Sequence, residues 1–337
     1  MAEIKTTYMG LELNSPVIVG ACGLTDNADK IKKIETEGAG AVVFKSLFEE
    51  QINLESIELQ EQLSAYDYRN AEMGTLFPKI EHAGPEEHLN KLRKAKESVS
   101  IPVIGSLNAV FKETWIEYAE LISETGIDAL ELNFYHIPKN VTKESSTIIE
   151  EQMELLYRIK NKIKIPVCVK LSPYYTNSLR VIDKMDKVGV NSFVMFNRQF
   201  QPDIDIDSEK LVQHYNLSNT DDFKLPLRIT GWMYGKVNAD LCGNTGIYTA
   251  KETIKLILAG AKAVEVVSTL YKNGIGQIGL INRDIKKWMD DKGYENLDDF
   301  RGKLAMESVK DPFAYKRAQY VDILMRENEI LGKHNLL

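Results

Sequence analysis

Short apolar runs rich in Val and Ile alternate with longer stretches whose apolar residues recur every three or four positions. This alternation predicts parallel strands joined by amphipathic helices. Strands are expected at residues 16–21, 41–45, 101–106, 128–133, 166–171, 192–197, 238–242 and 263–267. Helical periodicity runs through Lys30 and Ile34, and again through Trp115, Tyr118, Ala119 and Ile122 with Gly126 as a stop. It returns along 146–162, through Leu179, Ile182 and Met185, and after the last strand through Ile281 and Trp288. Thr249 followed by Glu252 has the spacing of a capping box that opens a helix. Eight strands with interleaved helices predict an α/β chain closed into a (β/α)8 TIM barrel. The expected organisation is a single domain over 1–337, with 294–337 as a helical C-terminal extension. Stretches 46–85 and 198–237 exceed ordinary βα loops and are expected as insertions after strands two and six. They fall on the face where barrel active sites form, either as substrate covers or as surface excursions.

Composition narrows the function classes. The 337 residues are 44% hydrophobic and 27% charged, ordinary for a globular enzyme. A net charge of −7 without a basic stripe argues against nucleic acid and against an anionic membrane surface. No apolar run reaches about 18 residues, so no spanning helix is expected, and the polar opening residues do not read as a signal peptide. Cys22, Cys168 and Cys242 are far apart, follow no CxxC spacing and cannot supply the four thiolates of an iron–sulfur cluster. No metal site is expected, and the cytoplasm is the expected location.

Polar residues recur where these apolar strands end: Lys45, Ser106, Asn108, Asn133, Asn197, Ser268 and Thr269, with Lys170 inside the fifth strand. A lysine within an apolar strand is costly to bury unless an acceptor or anion lies nearby. The convergence points to a polar, partly anionic ligand, although a structural salt bridge would explain either lysine alone. Asn244-Thr245-Gly246-Ile247 and the segment 264–269 offer backbone N–H groups after strands seven and eight, where barrels often bind phosphate.

On these motifs a resemblance becomes specific. The order Asn14-Ser15-Pro16-Val17, Gly38-Ala39-Gly40-Ala41-Val42-Val43-Phe44-Lys45-Ser46, Pro102-Val103-Ile104-Gly105-Ser106, Glu131-Leu132-Asn133, PVCVKLSP from Pro166, and Leu258-Ala259-Gly260-Ala261-Lys262-Ala263-Val264-Glu265-Val266 resembles dihydroorotate dehydrogenase, closest to its soluble class 1 branch. The resemblance implies FMN held by Ala21, Cys22, Lys45, Ser46, Asn133, Lys170, Thr230, Gly231, Thr245, Gly246, Ser268 and Thr269. It also implies that Lys170 stabilises the reduced flavin, that Asn133, Asn140, Asn197 and Arg198 bind substrate, and that the chain is a homodimer.

Departures fall around the substrate. Where the family carries its cysteine or serine base, this chain reads Asn133-Phe134-Tyr135-His136-Ile137-Pro138-Lys139-Asn140. His136 stands in the base position and is either that base or a loop histidine without a catalytic role. The family's substrate asparagine is replaced in Ala71-Glu72-Met73-Gly74, and Arg198 follows Asn197 either pointing inward at a carboxylate or solvated. The leading expectation is an FMN-dependent oxidoreductase that oxidises dihydroorotate, or a related cyclic CH–CH substrate, by hydride transfer to flavin N5. The alternatives are a relative with another substrate and a non-catalytic or electron-transfer barrel subunit; a Schiff-base lyase using Lys45 or Lys170 stands further off. The expected electron acceptor is fumarate, a quinone or an electron-transfer partner protein carrying its own flavin.

Overall fold

The computed structural model of the chain describes residues 2–50, 52, 85–109, 111–135, 141–198, 201–212 and 217–326. It opens with an antiparallel hairpin, β1 (Thr6–Tyr8) and β2 (Leu11–Leu13), whose two-residue turn places Met9 at φ 55° and Gly10 at φ 79°. Two left-handed residues in succession give a turn whose twist matches the strands it joins.

The barrel strands follow as β3 (Val17–Val19), β4 (Ala41–Val43), β6 (Val103–Asn108), β7 (Ala129–Asn133), β8 (Val167–Leu171), β9 (Ser192–Met195), β12 (Asp240–Asn244) and β13 (Ala263–Val266). Each pairs in parallel with the next, and β13 pairs back with β3 to close the ring. A short β5 (Leu47–Phe48) extends the pairing on β6, and an exposed hairpin joins β10 (Asp203–Asp205) to β11 (Lys210–Val212).

Successive strand residues point to opposite faces, and here both faces are buried, so the strands read as nearly continuous apolar runs. Outward residues such as Val17, Val103, Leu130, Val169, Phe193 and Val264 join the core under the helices. Each such side chain contributes about 1.5–3 kcal/mol by leaving water. Inward residues Ile18, Ala41, Ile104, Ala129, Cys168, Val194, Cys242 and Ala263 fill the lower barrel with Tyr8, Met9 and Leu13 of the hairpin. The hairpin thus plugs the amino-terminal end: Met9 N–H donates to Asp240, and Tyr8 is hydrogen-bonded to Ser192. Two residues further along the strands the interior turns polar, with Ser106, Glu131, Lys170 and Glu265 all buried. Among the described residues, the barrel interior is thus open to a ligand at its carboxyl-terminal mouth.

Six outer helices match their expected positions, Ala28–Thr36, Lys112–Ser123, Ser145–Lys162, Ser178–Asp186, Ala250–Ala259 and Gln277–Lys292, and two more, Glu86–Ser98 and Lys224–Met233, complete the set around the barrel. Thr249 and Glu252 form the expected capping box. Among the described residues no helix is long and apolar enough to cross a membrane.

Three details differ from the sequence reading. Strand seven begins later than expected, because Asn238 and Ala239 donate to the Asp186 carboxylate and belong to the incoming loop. The long stretch after strand six contains β10, β11 and the helix Lys224–Met233, which is the barrel helix between strands six and seven. A short helix, Ser268–Asn273, precedes the closing helix. In the tail, Tyr320, Ile323 and Leu324 lie exposed on the helix Ala318–Met325, while Tyr315 donates to the Leu304 carbonyl.

His88 supplies a test of packing at the barrel mouth. Its Nε2 is buried without a partner among the described residues, and its ring meets Phe44 edge-on with centroids 5.3 Å apart. Burial, then the charges of Lys45 and Lys91, pull its pKa from 6.5 to about 4. Between those values the unfolded chain binds the proton more readily, so stability falls as pH falls, by about 3 kcal/mol across the window. His88→Phe is expected to make the melting temperature less sensitive to pH between 6.5 and 4. An unchanged acid limb in thermal melts would contradict this.

Candidate active site

The strand ends bring together a cavity of about 170 Å³ lined by Ala21, Cys22, Lys170, Asn197, Arg198, Ser218, Asn244, Thr245, Gly246, Ile247, Glu265 and the segment 266–268. Eight of the residues expected from the sequence therefore share one opening: Ala21, Cys22, Lys170, Asn197, Arg198, Thr245, Gly246 and Ser268. Asn133 joins them by accepting a hydrogen bond from the Asn197 side-chain amide.

At the deep end, Lys170 Nζ lies 2.7 Å from Glu265 Oε2 and 3.5 Å from Glu131 Oε1. All three side chains are almost wholly buried, with residue exposures of 6%, 2% and 0% for Lys170, Glu265 and Glu131. Burial alone would lower the lysine pKa, but the two carboxyls outweigh it and hold the ammonium charged. Glu131 is pushed well above the usual carboxylate range by burial and by the neighbouring Glu265, against the pull of Lys170. Beyond Glu131 the hydroxyls of Ser106 and Ser46 continue the polar contacts, 2.6 Å apart.

At the outer end, Thr245 and Gly246 follow β12 with φ 71° and 68°. A Cβ on Gly246 would stand 2.3 Å from the Phe223 backbone nitrogen, so the chain can close here only with glycine. Gly246 N–H donates to Ser218 Oγ, Ser218 N–H donates to Ser268 Oγ, and Lys272 Nζ lies 3.3 Å from the Ser218 carbonyl. A backbone N–H, two hydroxyls and an ammonium are thus gathered around Ser218 at this end of the cavity, the kinds of group that an anionic ligand end requires. Arg198 is ion-paired with Asp222, which also accepts the Asn219 N–H. Its guanidinium braces the loop beside the cavity.

Other expected residues lie elsewhere. Lys45 and Ser46 line a neighbouring cavity of about 260 Å³ with His88, Glu87 and Lys91. Thr269 is buried behind the wall, donating to the Tyr248 carbonyl. The expectation that Thr230 and Gly231 hold the cofactor fails on position. Both are buried in the outer helix Lys224–Met233, where the Gly231 carbonyl accepts the Met306 N–H and Tyr315 packs against the glycine. Ala71, His136 and Asn140 lie outside the described residues.

The sequence reading assigned no role to Glu131, Glu265, Ser218 or Lys272. Glu131 and Glu265 carry a signal of their own, since each interrupts an apolar strand two residues from an inward alanine. The Ser218 contact depends on the folding of a long loop and has no such mark.

A parallel barrel with a lysine-centred polar cavity at the carboxyl ends of its strands is the architecture of a barrel enzyme acting on an anionic ligand. The family model described as dihydroorotate dehydrogenase matches residues 69–289, and the chain belongs to that family of flavin-dependent oxidoreductases. It is 29% identical over 310 residues to dihydroorotate dehydrogenase B (NAD(+)), catalytic subunit, of Thermoplasma volcanium, covering 90% of this chain and 98% of the relative. The corresponding subunit of Methanocella arvoryzae is also 29% identical, over 91% of this chain and 99% of its own length. Dihydroorotate dehydrogenase A (fumarate) of Lactobacillus helveticus is 25% identical, over 90% of this chain and 99% of its own.

The close approach at Gly246 can be separated from simple backbone strain. Gly189 also has a positive φ, 90°, but a Cβ added there would meet nothing within 4 Å. Gly189→Ala is expected to cost about 1 kcal/mol, and Gly246→Ala clearly more, in denaturant unfolding. Equal losses would contradict the tight closure of this loop.

Proposed function

We propose that the chain binds FMN in this cavity and oxidises dihydroorotate to orotate. The observation that carries the reading is the charged Lys170 at the floor of the cavity, with Asn133 and Asn197 hydrogen-bonded to one another beside it. The donor set fits the cofactor at both ends. Lys170 would offer a positive charge to the polar edge of the ring, and Gly246 and Ser268 at the other end, with Lys272 close by at Ser218, would hold the phosphate. FMN, when bound, supplies the two-electron acceptor that the side chains lack.

The protein's own contribution is electrostatic and positional. Lys170 presents a fixed cation where negative charge develops, in a site largely withdrawn from water. Asn133 and Asn197 hold each other's amides at the ends of β7 and β9, so that their remaining donors and acceptors can orient a substrate carrying amide and carboxylate groups. Asn140 is assigned to the same task and His136 to removing the substrate proton. The neutral range of imidazole suits that role, and no other candidate base in the 134–140 stretch matches it.

We infer further that the whole chain acts as one unit with its C-terminal extension, forms a homodimer in the cytoplasm, and passes electrons to a partner. Support for the partner comes from the relatives that are catalytic subunits of NAD(+) enzymes. The three free cysteines accord with a reducing compartment.

The purified protein is expected to show a flavin spectrum that bleaches when dihydroorotate is added without oxygen. Lys170→Gln and His136→Ala should each slow the bleaching on the order of 100-fold. A flavin band that stays oxidised in the unaltered protein would overturn the substrate assignment, and a colourless protein that takes up no FMN would overturn the cofactor.

A further inference from the structure

Lys170 needs one counter-ion and has two. Glu265 on β13 and Glu131 on β7 reach the same ammonium from different sides of the barrel. If both were ionised, the buried trio would carry an uncompensated negative charge, which an interior of low polarity strongly disfavours. Glu131 Oε2, moreover, is buried with no hydrogen-bond partner among the described residues. One proton on the pair removes the excess charge, and the upward push on Glu131 is in the same sense.

The surrounding groups leave the pair as the place where charge can change. Lys170 stays protonated between its two carboxyls. Cys168 on β8, Cys242 on β12 and Tyr8 of the N-terminal hairpin face the pair from below, and burial pushes all three well up, so they remain neutral. Cys22 at the lip is raised by burial in the same way. Arg198 in the lining is paired with Asp222. In the neighbouring cavity Lys45 is exposed, and His88 is neutral because its pKa is pulled down to about 4.

A route to the pair is also present. Ser46 lines the neighbouring cavity, its Oγ is 2.6 Å from Ser106 Oγ, and Ser106 Oγ is 3.5 Å from Glu131 Oε1. Two hydroxyls, each able to donate and accept, therefore connect that cavity to Glu131 without crossing the ligand cavity.

We propose that Glu131 and Glu265 hold one proton between them as the shared counter-ion of Lys170, and that they take a second, delivered along Ser46 and Ser106, when negative charge arrives beside Lys170. This rests on the flavin reading of the cavity. With FMN bound, a substrate that gives up a hydride and a proton would leave one added negative charge beside Lys170, and a solvent proton would convert the remaining carboxylate of the pair to a carboxylic acid. Two protons, one in the hydride equivalent and one on the pair, then accompany each two electrons.

The test is a redox titration of the flavin-bearing protein against reference dyes at neutral and mildly alkaline pH. The unaltered protein should take up two protons per two electrons. Glu131→Gln and Glu265→Gln should each keep that number, because the remaining carboxylate takes the proton, while the double variant should take up one. Ser106→Ala should leave the stoichiometry intact and slow proton uptake several-fold, read with a pH indicator after rapid reduction. One proton in the unaltered protein, or two in the double variant, would overturn the proposal, and an unslowed Ser106→Ala would overturn the route.

Should the double variant fail to fold, reduced-minus-oxidised infrared spectra of the unaltered protein and the single variants decide. A deuterium-sensitive C=O band of a protonated carboxyl should appear on reduction, at different positions in the two single variants. Its absence in all three would overturn the pair. Absence of flavin from the protein would overturn the cofactor reading instead, so the two failures are distinguishable.

Discussion

An ammonium group enclosed in a barrel interior sets the terms for much of this molecule. Lys170 is almost completely withdrawn from water, and a charge so placed is tolerated only with opposite charge and hydrogen bonds around it. Those partners cannot come from β8 itself, where its inward neighbour Cys168 is apolar packing. They come from β7 and β13, so the ion pair depends on the closed ring that brings Glu131 and Glu265 within reach. The apolar layer below, sealed by the Tyr8 hairpin, closes the other end of the barrel. What remains is a single polar floor facing the carboxyl-terminal mouth.

Two kinds of packing therefore meet at the level of Lys170. Beneath it, Ile18, Ala41, Ile104 and their neighbours gain by leaving water. At and above it, each group is matched to another polar group: Asn197 to Asn133, Asn244 to the Phe196 carbonyl, Arg198 to Asp222. Such a network holds side chains in fixed directions, which is what a reaction needing a precisely placed charge demands. The same enclosure makes the second carboxyl of the trio conspicuous, since a structural ion pair alone would require only one.

Much of this was legible in the sequence for a simple reason: strand and helix periodicities differ, and the barrel strands carry uninterrupted apolar runs. The ends of those runs disclosed Lys170, Asn133 and Asn197, because polar residues there have only the mouth to face. Contacts between strands distant in sequence were not legible. Glu265 meets Lys170 across 95 residues, and nothing local announces that pairing. The helix Lys224–Met233 was hidden by Pro226 and Gly231, both poor helix formers that tertiary packing overrides. Thr230 and Gly231, placed at the cofactor by the family resemblance, sit instead in that helix outside the barrel. The late start of β12 had a similar origin, since Asp186 captures two N–H groups that the sequence pattern assigns to a strand.

The account stands on the position of Lys170 relative to whatever the cavity binds. A crystal structure of the protein with FMN bound addresses this most directly. The account predicts the polar edge of the isoalloxazine within hydrogen-bonding distance of Lys170 Nζ, and the phosphate against Gly246, Ser268 and Lys272. A flavin bound elsewhere, for instance in the groove formed by Ile148, Tyr174 and Val181, or one with Lys170 turned away from its ring, would contradict it.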